Sequence, residues 1–219
     1  MVYERLLTTD IRLTEKEWAF AGAYTPAKYA VGQLAESWEQ PDPATVIFKI
    51  RKGIRWQNLP PLSGRELVAA DVVYGLTRYT QQGSLVRADW INWFKSVTAI
   101  DKYTVEFKFD PAKIDQWGLW VGYSKTSWIV PREVVEANGD LKNPLVAVGT
   151  GPYIIKDRVA NSSMTFGKNP TYWGEDPRHP GNTLPYIENV EFIIVPDAST
   201  QIAALRTGKV DILGPPQTN

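Results

Sequence analysis

Four groups of residues in this chain are of types that carry chemistry elsewhere. Glu175/Asp176 and Glu133/Glu136 are acidic pairs, and two carboxylates facing each other across a cleft are the machinery of glycoside hydrolysis. Both pairs stand in polar segments, where Asp and Glu are ordinarily solvated or placed at helix starts. His179 is the one histidine, between Arg178 and Pro180. A single imidazole cannot build a histidine-based metal site, and no carboxylate repeat around it has the spacing of a calcium loop. No G-x-S-x-G elbow accompanies it for a Ser-His-Asp triad. Gly149-Thr150-Gly151-Pro152 has the glycines of a phosphate cradle, but Pro152 removes an amide and Tyr153 leads into a strand rather than a helix. That tetrapeptide suits a hinge or re-entry turn. The chain has no cysteine, which removes disulfides, thiolate metal ligands and thiol nucleophiles. These residues lead to the expectation of no catalytic residue, no metal and no cofactor.

The fourth group is aromatic. The chain has nine Trp, and Trp117, Trp120, Tyr123 and Trp128 crowd into one stretch. Tryptophan offers a flat apolar face and an N–H donor, so it can clamp peptide side chains or stack on sugar rings. Core packing competes for the same residues. Gly118, Gly122 and Ser124 between them suit a ligand-facing loop better than a core strand. Trp120, Tyr123, Ser124 and Trp128 are therefore the candidate ligand-binding residues. Arg51-Lys52, Lys125 and Arg158 have the charge to meet a solute carboxylate, but they are scattered and receive no role.

The elements that must hold these residues are legible from periodicity. Val46, Phe48 and Ile50 alternate with Thr45, Ile47 and Lys49, and Val105, Phe107 and Phe109 with Thr104, Glu106 and Lys108. Period two puts one face of each strand on a core. Phe192 to Val195 is continuously apolar, which predicts a strand covered on both faces. Tyr153–Ile155 and Ser163–Phe166 read as a strand pair. Val72, Val73, Leu76 and Tyr79 form one helical stripe, and Ala198, Ile202 and Leu205 another. Asp197 caps the second helix and Gly208 stops it. Pro131–Glu136 starts a short helix ending at Asn138-Gly139. Gly174–Pro185, with three prolines and two glycines, is loop.

Composition narrows the class. Apolar residues make up 43% of the 219 and charged residues 22%, as in an ordinary globular protein. Twenty-four basic residues balance twenty-four acidic ones, so bulk charge recruits neither nucleic acid nor an anionic membrane. No apolar run approaches the roughly 20 residues that span a bilayer. The start carries charge without the apolar core of an export signal.

Several segments, in order, resemble one family. They are Tyr3–Leu7 (Y-E-R-L-L), Leu34–Trp38 (L-A-E-S-W), Thr45–Gly53 (T-V-I-F-K-I-R-K-G), Glu66–Arg78, Val97–Phe109, Gly149–Tyr153 (G-T-G-P-Y), Asn169–Gly174 (N-P-T-Y-W-G) and Pro196–Leu213. Their order and gaps resemble the peptide/nickel-type (family 5) extracellular solute-binding proteins, the capture subunits of bacterial ABC importers. The sequence departs from that pattern at Val68, where a capping Thr is usual, and at Gln57, where many members carry His. It also departs in the Pro-rich insert Asn58–Arg65 and at Tyr24–Ala30.

The resemblance implies an α+β / α/β fold. It would be part of lobe I of a periplasmic-binding-protein type II fold with an inserted mixed α+β subdomain. Residues 1–30 and 148–219 would form the incomplete α/β lobe, residues 31–147 the insertion, and a second lobe would be absent, making the chain a fragment. The implied function is non-catalytic capture of a di- or oligopeptide, with two lobes closing over it and ABC permease subunits as membrane partners. The implied location is periplasmic or extracellular and membrane-associated. The competing readings are a carbohydrate-active hydrolase using an Asp/Glu pair and Trp subsites, and an oligosaccharide-binding member of the same family.

Overall fold

A computed structural model of the protein describes residues 1–14, 16–17, 27–81, 84, 86–112 and 127–214. The two alternating segments organise its larger core. Strands β3 (Ala35–Asp42), β4 (Thr45–Ile50), β5 (Phe94–Asp101) and β6 (Thr104–Phe109) make one antiparallel sheet in the order β3-β4-β6-β5. Val46 lies opposite Phe107 and Phe48 opposite Val105, so the apolar sets of β4 and β6 fall on one face. All of Val46, Phe48, Ile50, Val105, Phe107 and Phe109 are buried. On that face Phe48 meets Phe107 edge-on at 5.3 Å. Helix α1 (Ala69–Thr77) lays Val72 and Leu76 against it. Helix α2 (Arg87–Trp93) places Trp90 between Tyr79, at 4.9 Å, and Phe94, at 4.5 Å. Helix α3 (Arg132–Asn138) buries Val134 in the same core and ends at Gly139, whose φ of 76° is the left-handed stop read from the Asn-Gly pair.

With no cap oxygen on the Val68 side chain, the Asp71 amide donates to the Val68 carbonyl at 2.9 Å instead. The Asp71 carboxylate accepts the Val68 amide at 2.9 Å. Arg65, from the Pro-rich insert, grips Asp71 at 2.7 Å and Glu133 of α3 at 2.6 Å. The insert thus joins the starts of two helices, and the hydrogen bonds it donates to Asp71 and Glu133 hold the Arg65 guanidinium more firmly protonated than usual.

A second, smaller cluster sits on β7 (Tyr153–Val159), β8 (Ser163–Lys168) and β9 (Asn189–Ile193), an antiparallel sheet in that order. Val2, Tyr153 and Phe166 are its buried members. Helix α4 (Ala198–Arg206) follows, capped by Asp197, which accepts the Thr200 amide at 2.7 Å. Gly208, at φ 68°, ends it as expected. A short ladder of β1 (Leu7–Thr9) and β2 (Ala30–Gly32) completes the strands among the described residues.

Two expectations are corrected. The Phe192–Val195 run is not covered on both faces: Phe192, Ile193 and Ile194 are 55%, 50% and 59% exposed. The apolar stripe of α4 likewise has no buried member. Composition reveals that such a strand needs cover but not whether the described residues supply it. Of the Y-E-R-L-L segment only Leu7 belongs to β1, whose ladder begins there. Before that the backbone is shared among separate partners. Glu4 accepts from the Ile129 amide, and Val2 from that of Gly151.

Candidate functional site

The N-terminal segment alternates its side chains between two very different surroundings. Arg5 places its guanidinium over the ring of Trp128 at 4.4 Å. Tyr79 donates its hydroxyl to the Trp128 carbonyl at 3.4 Å. The ring is half-buried, with Ser127 beside it fully buried. Trp128 is therefore an aromatic face already carrying a cation, on the described end of the aromatic stretch. Trp120, Tyr123 and Ser124, the other sequence candidates, lie outside the described residues, as does Trp117.

On the opposite side Glu4 is 1% exposed. It accepts from the Tyr172 hydroxyl at 2.8 Å, Trp173 Nε1 at 2.9 Å and Gln33 Nε2 at 3.2 Å. The Thr150 side chain is a further donor. Burial pushes the Glu4 carboxyl up, and these donors pull it partly back. In turn, burial and the neighbouring carboxylate push the Tyr172 phenol well above its ordinary range. Sequence reading quoted Tyr3–Leu7 and Asn169–Gly174 as separate blocks. What it missed is that a buried acid from one meets two ring donors from the other.

The Gly149–Pro152 turn is no phosphate cradle. A Cβ on Gly149 would stand 1.9 Å from the Val2 carbonyl oxygen, and one on Gly151 2.4 Å from that of Met1. The glycines are there for backbone contact with the chain start. Gln57 reads the same turn. Its side chain accepts from Gly149 N at 3.2 Å and donates to Gly151 O and Tyr153 O at 3.2 and 2.8 Å. An amide supplies an acceptor and two donors together, which explains Gln at this buried position.

In each acidic pair one carboxylate, Glu133 or Asp176, is engaged by neighbouring side chains. Glu133 is held by Arg65, and Glu136 lies exposed, 3.9 Å from Arg132. Asp176 accepts from the Tyr186 hydroxyl and pairs with His179 Nδ1, both at 2.8 Å. Those bonds, the one from His179 foremost, hold its carboxyl down at about 2. His179 thus pins the Gly174–Pro185 loop, and Arg178 from the same loop donates to the Ile11 carbonyl. Among the described residues no three His, Cys, Asp or Glu gather as a metal site. A groove of about 600 Å³ opens beside Trp173, with Arg51, Lys52, Glu36 and Glu175 at its rim. Arg51 donates Nε to the Gln33 carbonyl at 2.8 Å. Such mixed charge on an open groove selects no ligand by sign. What the described residues offer is aromatic surface, backbone-fixed turns and, at Glu4, Glu133 and Asp176, carboxylates engaged by neighbouring side chains.

Known proteins share this chain's sequence pattern and fold. Residues 30–219 match the family described as bacterial extracellular solute-binding proteins, family 5 Middle. The periplasmic oligopeptide-binding protein OppA of Escherichia coli is 27% identical over 198 residues, covering 82% of this chain and 34% of that protein. The nickel-binding periplasmic protein of the same organism is 25% identical over 182 residues, covering 82% and 32%. The chain thus spans about a third of the length of these curated relatives. Among solved structures, the Helicobacter pylori periplasmic binding protein DppA in complex with the peptide STSA superposes with a TM-score of 0.72 at 24% identity, covering 95% of this chain and 40% of that one. A Thermotoga maritima oligopeptide-binding protein with bound mannohexaose gives 0.70 at 24% identity, covering 96% and 35%. These superpositions show the periplasmic-binding-protein type II fold, of which this chain carries one portion. With a family match running from Ala30 to the last residue, the chain belongs to the family 5 bacterial extracellular solute-binding proteins.

Proposed function

We propose that the chain is part of the solute-capture subunit of an ABC importer and that its solute is a di- or oligopeptide. The observation that carries this is the unbroken family match over residues 30–219, together with relatives named as oligopeptide- and dipeptide-binding proteins. On this reading the protein performs no reaction. Residues 1–30 and 148–219 belong to one lobe and residues 31–147 are its inserted subdomain. A second lobe from a longer protein closes over the solute by a hinge motion, and permease subunits in the membrane take the closed form. The location is periplasmic or extracellular.

Mass spectrometry of ligand co-purifying with the longer protein tests the reading directly. Peptides are expected, and a bound oligosaccharide would replace the solute class while keeping the capture role. The 219-residue chain itself is expected to bind mixed di- to pentapeptides no tighter than high micromolar in isothermal titration. Micromolar affinity already needs about 8 kcal/mol, and one lobe supplies contacts on only one side of the solute. Saturable nanomolar binding by this chain would refute the two-lobe arrangement.

The ligand wall on this reading is Trp120, Tyr123, Ser124 and Trp128. In the longer protein Trp120→Ala is expected to weaken solute binding at least tenfold while keeping unfolding within about 1 kcal/mol of wild type, as for a surface change. Normal binding by that variant, or a binding loss that tracks a core-sized loss of stability, would remove Trp120 from the wall.

A further inference from the structure

The groove beside Trp173 selects no ligand by net charge, but a ligand that carries both signs can use all of its charges. Its walls come from separate pieces of chain. Glu36 stands on β3, Arg51 and Lys52 follow β4, and Trp173 and Glu175 flank Gly174. Among the described residues no ion pair joins these charges across the groove, and the Glu36 and Glu175 carboxylates have no side-chain partner. Opposite charges that line one groove without closing on each other leave room between them for a guest.

The walls are held by bonds that do not occupy the groove. Arg51 donates Nε to the Gln33 carbonyl at 2.8 Å and Nη2 to that of Gly32 at 3.5 Å. This sets the guanidinium carbon 5.9 Å from the centre of the Trp173 ring. The ring itself is fixed by the bond from its Nε1 to Glu4 at 2.9 Å. After Lys52 the turn is anchored by Gly53 N, which donates to Glu66 Oε1 at 2.9 Å, and a Cβ on Gly53 would meet nothing. Glu175 sits on a backbone bridge to Thr183. A guest therefore meets a preformed surface and orders little of it on binding.

We propose that this groove is a binding site for a small zwitterion, an α-amino acid with an apolar side chain. Its carboxylate lies against Arg51 and Lys52, its ammonium faces Glu36 and Glu175, and its side chain rests on Trp173. The groove's volume of about 600 Å³ is in the usual range of small-molecule sites. A single exposed ion pair contributes little. Two of opposite sense made at once, with an aromatic face between them, reject any ligand that lacks one charge. The site is separate from the proposed ligand wall: within the Tyr3–Arg5 segment Glu4 bonds to Trp173, whereas Arg5 turns the other way onto Trp128. The proposal thus stands or falls independently of peptide capture.

The test titrates phenylalanine into the isotope-labelled 219-residue chain and into the longer protein. The controls are N-acetylphenylalanine, which lacks the ammonium, and phenylalaninamide, which lacks the carboxylate. Saturable shifts of the Trp173 indole N–H and the Gly53 amide are expected with a Kd below about 1 mM, and binding about tenfold weaker or worse for either control. Glu36→Gln combined with Glu175→Gln, and separately Lys52→Gln, alter only exposed side chains. Their unfolding midpoints should stay within about 2 °C of wild type, while phenylalanine binding weakens by about tenfold or more in each. Equal affinity for the three ligands overturns the proposal. So does undiminished binding by the charge variants, or the absence of shifts at both reporters up to about 10 mM ligand, far above the expected Kd. Shifts in the short chain that vanish in the longer protein also overturn it, because the groove would then be covered by the rest of the polypeptide.

Discussion

Phe107→Ala is expected to lower the free energy of unfolding by about 3–5 kcal/mol, the usual loss for truncating a buried phenylalanine, whereas Glu106→Ala should change it by less than about 0.5 kcal/mol. The two residues are neighbours on β6 and differ only in the face they occupy. Phe107 is fully buried, edge-on to Phe48 and 5.9 Å from Phe94, so its removal opens a cavity bordered by rings from β4 and β5 that cannot collapse around it. Glu106 is half-buried on the other face, 3.4 Å from Lys108, a surface pair of the kind that contributes little. Denaturant midpoints of the two variants measure the difference. Equal midpoints would mean that the strand register, and with it the pairing of Val46 with Phe107, is wrong.

Glu4→Ala is the second large loss expected, at least about 3 kcal/mol. Four donors converge on the Glu4 carboxylate, and each buried donor left unpaired costs roughly 1–3 kcal/mol. Relief from burying a charge offsets part of this. Glu4→Gln keeps an acceptor oxygen without the charge and should lose much less. The two proteins should also differ in pH response. Burial raises the folded-state pKa of Glu4 above its ordinary 4.5, so the folded protein binds this proton more tightly than the unfolded chain. Its contribution to stability is then fully present below about pH 4.5, where both states are protonated, and is lost as pH rises through the folded value. Between pH 4 and 8 the unfolding midpoint of wild type should fall relative to that of Glu4→Gln. Parallel curves would show that Glu4 titrates alike in both states.

Much of the fold was legible because its signals are local. The alternation of Val46/Phe48/Ile50 and of Val105/Phe107/Phe109 fixed which face is buried. Asp197, Gly208 and the Asn138-Gly139 pair announced helix ends through backbone preferences that need no tertiary context. The covering of Phe192–Val195 was not legible, since continuous apolarity reports a need for burial and not its fulfilment. Nor was the Glu4 cluster. A carboxylate in Y-E-R-L-L looks like any surface acid until residues 33, 150, 172 and 173 are brought to it, and no periodicity encodes a meeting over that separation. Gln57 was marked only as a departure from a family pattern. Its use became visible when its amide was found spanning Gly149 to Tyr153. Of the ligand candidates, Trp128 alone falls in the described residues, and the cation stacked on it comes from the opposite end of the sequence.

The separation between Glu4 and Trp173 also sets a clock on biosynthesis. The two are 169 positions apart, and a ribosome adding about 5–20 residues per second needs roughly 10–30 s to travel that distance. Throughout that interval Glu4 lacks both ring donors, and the Gly149–Gly151 turn that seats Met1 and Val2 is also still to come for most of it. The contacts around Met1 to Glu4 are therefore among the last to be completed. For a nascent polypeptide this means a prolonged period in which the Glu4 carboxylate stands without its ring donors, ended only once the N-P-T-Y-W-G segment has emerged.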